Sequence, residues 1–229
     1  MHNILLYNKV SLLFLLGAIA YGVMTVGNLS AVVTLILSLA TVFLVKSSQE
    51  KDSVRYTYMA GFTLTLAAMV WPYVIVTLLL FLCFLVKPLE VITLRNVMSM
   101  LLGVLSPLWL YLPVWLYGHV MAMDWECVRE HYMGYLTSVE VFDYGEVTVF
   151  QAAIYGVLLL LFLGLIVRRS SYRFKGKLFV RRQRAVYITM VWAVALVMIV
   201  LPSLSNWLLP LMATFMGPVA AQVVMGDGR

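Results

Sequence analysis

Residues 57–86 read TYMAGFTLTLAAMVWPYVIVTLLLFLCFLV, a stretch of thirty residues without a charged side chain. A continuous helix over this stretch would be about 45 Å long, whereas the hydrocarbon core of a bilayer is about 30 Å thick. Pro72 lacks an amide donor and disfavours helical geometry at Trp71, so a turn there would divide the stretch into two short helices. The alternative is one long helix kinked at Pro72, which membrane proteins tolerate.

The rest of the chain has the same apolar character. Of its 229 residues, 63% are hydrophobic and 11% are charged, whereas about a quarter of the residues of a soluble domain are charged. Further uncharged runs span residues 10–26, 29–45, 97–116, 149–167, 185–201 and 207–225. Ala18-Ile19-Ala20 has the form of a signal-peptidase site, but the first run continues beyond it, so we expect a retained helix.

These runs predict an all-α fold: a polytopic transmembrane helical bundle that forms a single integral membrane domain over residues 1–229. It would contain about eight short helices, or seven if residues 57–86 form one kinked helix. The positive-inside rule favours eight, because fifteen of the sixteen Lys and Arg residues then lie on the cytoplasmic side and only Arg129 lies outside. With seven helices the division would be eleven to five. We therefore expect an inner (plasma) membrane protein with both termini in the cytoplasm.

A basic cytoplasmic loop is predicted at residues 168–184, which contain eight cations and no acid. The cations are Arg168, Arg169, Arg173, Lys175, Lys177, Arg181, Arg182 and Arg184. Each would contribute about 1 kcal/mol to binding at an anionic leaflet. We expect them to contact anionic lipid headgroups or a protein partner in the membrane, unless the loop only sets the topology. Nucleic acid is not an expected partner.

An extracytoplasmic loop is predicted at residues 117–148, which hold six of the ten acidic residues. If residues 124–136 are helical, Cys127 and His131 share one face. No recognised metal-binding spacing is present. The same segment places apolar residues along one stripe, at Trp125, Val128, Tyr132 and Leu136. We interpret it as an amphipathic surface helix and expect no metal and no cofactor.

Small residues recur every fourth position in the last apolar run, at Ala213, Gly217 and Ala221. This spacing lets two membrane helices approach closely, because no bulky side chain separates their backbones. The stripe predicts helix packing, either within the chain or across a dimer interface.

A further pattern begins with Tyr58-Met59-Ala60-Gly61 and Trp71-Pro72. It continues with Lys87-Pro88, Arg95-Asn96 and a helix that carries Gly103 and Pro107. Over residues 58–116 the chain resembles an uncharacterised family of bacterial polytopic membrane proteins. More distantly, it is similar to membrane glycosyltransferases that use lipid-linked sugars. That second resemblance implies a catalytic acid in the first external loop, whereas the first external turn here, Gly27-Asn28, contains none.

The apolar runs contain no Asp, Glu, Lys, Arg or His, which disfavours ion-coupled transport and intramembrane hydrolysis. No phosphate-binding loop, dinucleotide fingerprint or nucleophile elbow occurs. The leading hypothesis is a non-catalytic accessory or scaffold component of a cell-envelope pathway, with no catalytic residue assigned. One alternative is a divergent glycosyltransferase-like enzyme that uses acids of the 117–148 loop on a lipid-linked substrate. Another is a small permease with an uncharged path.

Overall fold

A computed structural model describes residues 9–25, 27–48, 53–120, 134, 142–145, 147–171 and 178–226. The principal elements in these residues are eight α-helices and two short 3-10 helices, Pro72–Val76 and Pro202–Leu204. The α-helices are α1 Lys9–Thr25, α2 Asn28–Lys46, α3 Ser53–Val70, α4 Thr77–Val86, α5 Leu94–Val120, α6 Val149–Ser171, α7 Leu178–Val200 and α8 Ser205–Gly226. The predicted all-α fold with about eight helices is confirmed.

Four stretches of the described residues are long and apolar enough to cross a membrane. They are Asn28–Lys46, Val149–Val167, Val180–Val200 and Pro202–Val223. Lys9–Thr25 and Pro72–Val86 are apolar but shorter than the roughly 20 residues that an untilted span needs. The chain is therefore a helical membrane protein whose helices differ in length.

The chain forms two compact units. The first unit comprises Met1–Leu35 and Val141–Arg229, and the second comprises Ile36–Glu140. Helix α2 contributes residues to both, because the boundary falls inside it.

In the second unit, residues 57–86 form two helices that are separated at Trp71. Helix α3 ends at Val70, and Trp71 adopts an extended backbone with φ −136° and ψ 99°. The 3-10 helix then begins at Pro72, and the Val74 amide donates to the Trp71 carbonyl at 3.1 Å. One continuous kinked helix is therefore ruled out, and the division predicted at Trp71-Pro72 is confirmed.

Helices α3 and α5 run parallel within this unit. Near their first residues, the Ser53 hydroxyl donates to Asn96 Oδ1 at 3.2 Å. Further along both helices, the Thr65 hydroxyl donates to the Val104 carbonyl at 3.1 Å. Because both contacts advance in the same chain direction, the segment between α3 and α5 must return the chain to the end at which α3 begins.

Pro72–Val86 makes this return, and residues 87–93 complete it. The Val91 amide donates to the Leu85 carbonyl at 2.9 Å, and Asn96 Nδ2 donates to the Val91 carbonyl at 2.7 Å. The end of α4 is thereby held beside the start of α5. Arg55, Lys87 and Arg95 consequently lie at one end of the unit, which is the arrangement that a hairpin over residues 57–86 predicts.

Helix α8 is the most enclosed helix of the first unit and contacts α1, α6 and α7. Within Pro202–Val223, 78% of the residues are buried, whereas only 11% of those in Val149–Val167 of α6 are buried. Helices α6 and α7 are antiparallel, because Tyr155 donates to the Ala195 carbonyl at 3.3 Å and Phe162 packs edge-on against Trp192 at 5.6 Å. The first unit therefore has one enclosed helix, α8, and helices that are largely exposed, α1 and α6.

Candidate functional site

The structure corrects the bounds of the predicted basic loop. Residues 168–171 continue α6 and residues 178–184 already belong to α7, so only residues 172–177 separate the two helices. Arg168 and Arg169 lie in the last turns of α6. Arg173, Lys175 and Lys177 lie outside the described residues. Arginine has a high helix propensity, so a basic sequence does not by itself end a helix.

The three arginines at the start of α7 have different environments. Arg181 is exposed, Arg182 is half-buried, and Arg184 is only 4% exposed. Successive residues of an α-helix point about 100° apart, so neighbouring positions face different surroundings. The prediction grouped all three as surface contacts, and the burial of Arg184 differs from it.

Arg184 is held by a side chain from the other end of the α7–α8 hairpin. Its Nε donates to Oε1 of Gln222, near the last turn of α8. This contact joins the start of α7 to the end of α8, so the two helices are antiparallel. Gln222 is itself 7% exposed, and its Nε2 has no hydrogen-bond partner among the described residues. The arrangement presents a buried cation beside a buried amide that still has protons to donate.

The predicted small-residue stripe lies in the most enclosed helix. Gly217 faces α1, where an added Cβ would be 3.0 Å from the Phe14 Cβ and 3.1 Å from the Ser11 carbonyl oxygen. Ala221 is fully buried and Ala213 is half-buried. The structure thus places Gly217 at a contact between two helices of the same chain.

A second close contact, between α3 and α5, was not among the predicted packing sites. An added Cβ at Gly61 would be 3.2 Å from the Val104 nitrogen, and one at Gly103 would be 3.0 Å from the Phe62 nitrogen. The Met100 carbonyl oxygen would be closer still to a Cβ at Gly61, and the Tyr58 carbonyl oxygen would be closer still to one at Gly103. The two backbones therefore touch, as small residues permit in a membrane.

Hydroxyl groups join the same two helices. Tyr58 donates to the Ser106 hydroxyl at 2.8 Å, and Ser99 donates to the Val54 carbonyl at 2.6 Å. The positions of Ser99, Gly103 and Ser106 follow the i, i+4, i+7 spacing of one helix face. That spacing was the sequence signal that could have revealed the contact.

In the first unit, at the end opposite the Arg184–Gln222 contact, α6 begins with a reciprocal cap. The Thr148 amide donates to Gln151 Oε1 at 2.9 Å, and the Gln151 amide donates to the Thr148 hydroxyl at 3.3 Å. Gln151 Nε2 also donates to Asn206 Oδ1 at the start of α8. Gln151 therefore fixes the start of α6 both locally and against α8.

The last part of the predicted outer loop packs onto the end of α7. The Phe142 amide donates to the Val200 carbonyl at 2.9 Å, and the Tyr144 hydroxyl donates to the Ile199 carbonyl at 2.8 Å. Cys127, His131 and the predicted surface helix at 124–136, apart from Gly134, lie outside the described residues. Across the portion of the chain that is described, no three His, Cys, Asp or Glu side chains form a possible metal site.

These features define the class of protein as a helical membrane protein. Its basic segment, residues 168–184, includes the end of α6 and the start of α7, which are antiparallel. Comparisons with protein-family profiles, curated proteins and solved structures found no match.

Proposed function

We propose that the chain is a non-catalytic accessory or scaffold subunit of a cell-envelope pathway in the inner (plasma) membrane. Both termini and the basic segment would lie in the cytoplasm, where positively charged segments accumulate. The observation that carries this proposal is the exposure of α6, of whose span only 11% is buried. A span covered so little by its own chain has a large apolar face for lipid or for a helix of another subunit.

The packing of polar side chains supports the same proposal. Gln151 Nε2 donates to Asn206 Oδ1 and so joins the start of α6 to the start of α8 within the first unit. Helix α8 is the most enclosed helix of that unit, so this contact ties α6 to a buried helix. Helix α6 can therefore present its exposed face from a fixed position on α8.

Substitution on this face of α6 tests the proposal. Leu160 is 69% exposed on α6, and Leu196 is 58% exposed on α7, which makes them a matched pair. A tryptophan is tolerated among lipid tails but does not fit a packed helix interface. We expect native mass spectrometry in mild detergent to show a stoichiometric membrane protein partner, lost in Leu160→Trp and retained in Leu196→Trp.

Two results would overturn the proposal. One is that the unmodified protein carries no protein partner and instead holds a bound polyprenyl-phosphate lipid. That result would favour the enzyme acting on a lipid-linked substrate. The other is a partner whose binding is unchanged in Leu160→Trp, because the exposed face of α6 would then not be the contact.

A further inference from the structure

The buried pair of Arg184 and Gln222 has a donor that its surroundings do not use. Arg184 Nε is a donor, so the Gln222 atom that accepts from it must be the amide oxygen Oε1. This assignment leaves Nε2 as the free end of the amide, with two N–H groups. Nε2 is buried and has no hydrogen-bond partner within the described part of the chain.

An unused buried donor is costly. An unpaired buried N–H gives up the hydrogen bond that an exposed amide would make with water. The Arg184 guanidinium is hydrogen-bonded to the oxygen of the same amide group. An arginine side chain is positively charged at physiological pH. A negatively charged oxygen placed at Nε2 would therefore accept a hydrogen bond and be attracted by the neighbouring cation.

The position of the pair suggests the source of such an oxygen. Arg184 lies four residues inside the α7 span Val180–Val200, and Gln222 lies one residue before the end of the α8 span Pro202–Val223. At 1.5 Å per residue, both side chains are attached within about 6 Å of the span ends. Phosphate groups of the lipid headgroups occupy this depth at the edge of the hydrocarbon core.

We propose that Arg184 and Gln222 form a specific binding site for one phosphate group. Gln222 Nε2 donates to a phosphate oxygen, and the positive charge of the neighbouring Arg184 guanidinium adds electrostatic attraction. The phosphate comes either from an anionic phospholipid or from free phosphate at the membrane surface. This site is distinct from diffuse attraction by exposed cations such as Arg181, because both of its side chains are buried.

Phosphate titration of the full chain in a neutral detergent tests the site. The probes are phosphatidylglycerol and, separately, inorganic phosphate, and the readouts are the thermal midpoint and the number of bound lipids by native mass spectrometry. We expect one saturable site that persists at about 0.5 M salt, since salt screens buried charges much less than exposed ones. Saturation by inorganic phosphate alone identifies free phosphate as the ligand, and saturation by phosphatidylglycerol alone identifies the lipid.

Variants of Gln222 carry the decisive comparison, because removing Arg184 could disturb folding. Gln222→Glu places a carboxylate beside Arg184, and Gln222→Met removes the amide at similar volume. We expect both to weaken phosphate affinity about tenfold or more, as loss of a hydrogen bond to a charged group does.

Arg181→Gln is the matched control, since it removes an exposed cation three residues away on the same helix. It should leave the salt-resistant site intact. Equal affinity in Gln222→Met and the unmodified protein would overturn the proposal. So would the absence of any saturable binding by either probe, or a loss in Arg181→Gln as large as that in the Gln222 variants.

Discussion

Replacing Gly103 with Ala tests the close contact between α3 and α5. The new Cβ would be 3.0 Å from the Phe62 nitrogen and nearer still to the Tyr58 carbonyl oxygen. Both neighbours are backbone atoms of α3, so the strain cannot be relieved by rotating a side chain. The two helices must separate, or one of them must bend.

The expected magnitude follows from three contributions. Overpacking costs about 1–3 kcal/mol. Separation also weakens the Tyr58–Ser106 and Thr65–Val104 hydrogen bonds, each worth about 0.6 kcal/mol in a membrane. Alanine has a higher helix propensity than glycine, and this difference offsets about 1 kcal/mol. The net loss in the free energy of unfolding is therefore about 1–3 kcal/mol.

Unfolding by sodium dodecyl sulfate in mixed micelles, followed by circular dichroism, measures this loss. Gly156→Ala and Gly164→Ala are the controls, because an added Cβ at either position of α6 has no atom within 4 Å. These two variants should be unchanged or slightly more stable. If Gly103→Ala is as stable as they are, the two backbones are not in contact and the reasoning fails.

Three further substitutions should alter stability in the same assay. Thr148→Ala should cost about 0.5–2 kcal/mol by removing the cap that Gln151 completes, and an unchanged midpoint would contradict this role. Asn96→Ala should cost about 0.5–1.5 kcal/mol, because the half-buried Val91 loses the donor to its carbonyl, and a neutral effect would mean that water replaces this donor. Gly217→Leu should cost more than 1 kcal/mol, because the larger side chain forces α1 away from α8. It should also increase the rate of proteolysis in α1, and a rate equal to that of the unmodified protein would refute this contact.

Helix number and the division at Trp71-Pro72 were predictable from sequence because they depend on local properties. The apolar runs mark the helices, and the positions of Lys9, Lys46 and Arg55 favour eight helices over seven. The parallel arrangement of α3 and α5 follows from the same division, since two successive turns restore the original direction.

The specific contacts were harder to predict because they depend on the rotation of each helix about its axis. Gly61 and Gly103 are opposed only when both helices present these faces to each other. The sequence groups Arg184 with surface cations, because a basic segment between two apolar runs is typical of a loop. Once residues 178–184 are helical, Arg184 falls on the side facing α8, and its partner Gln222 is 38 residues further along the chain. Sequence spacing alone does not reveal such a pairing.

Cysteine accessibility at three positions of the second unit tests the topology most directly. Arg55 and Lys87 are exposed at the helix ends, and the half-buried Pro72 lies at the turn between α3 and α4, so single cysteines at these positions would report which side of the membrane each one faces. Since Pro72–Val86 returns the chain to the start of α3, positions 55 and 87 should be labelled by a membrane-impermeant reagent from the same side and position 72 from the other. Labelling of positions 55 and 87 from opposite sides would contradict the hairpin, and with it the proposed eight-helix topology in which the basic residues would lie in the cytoplasm.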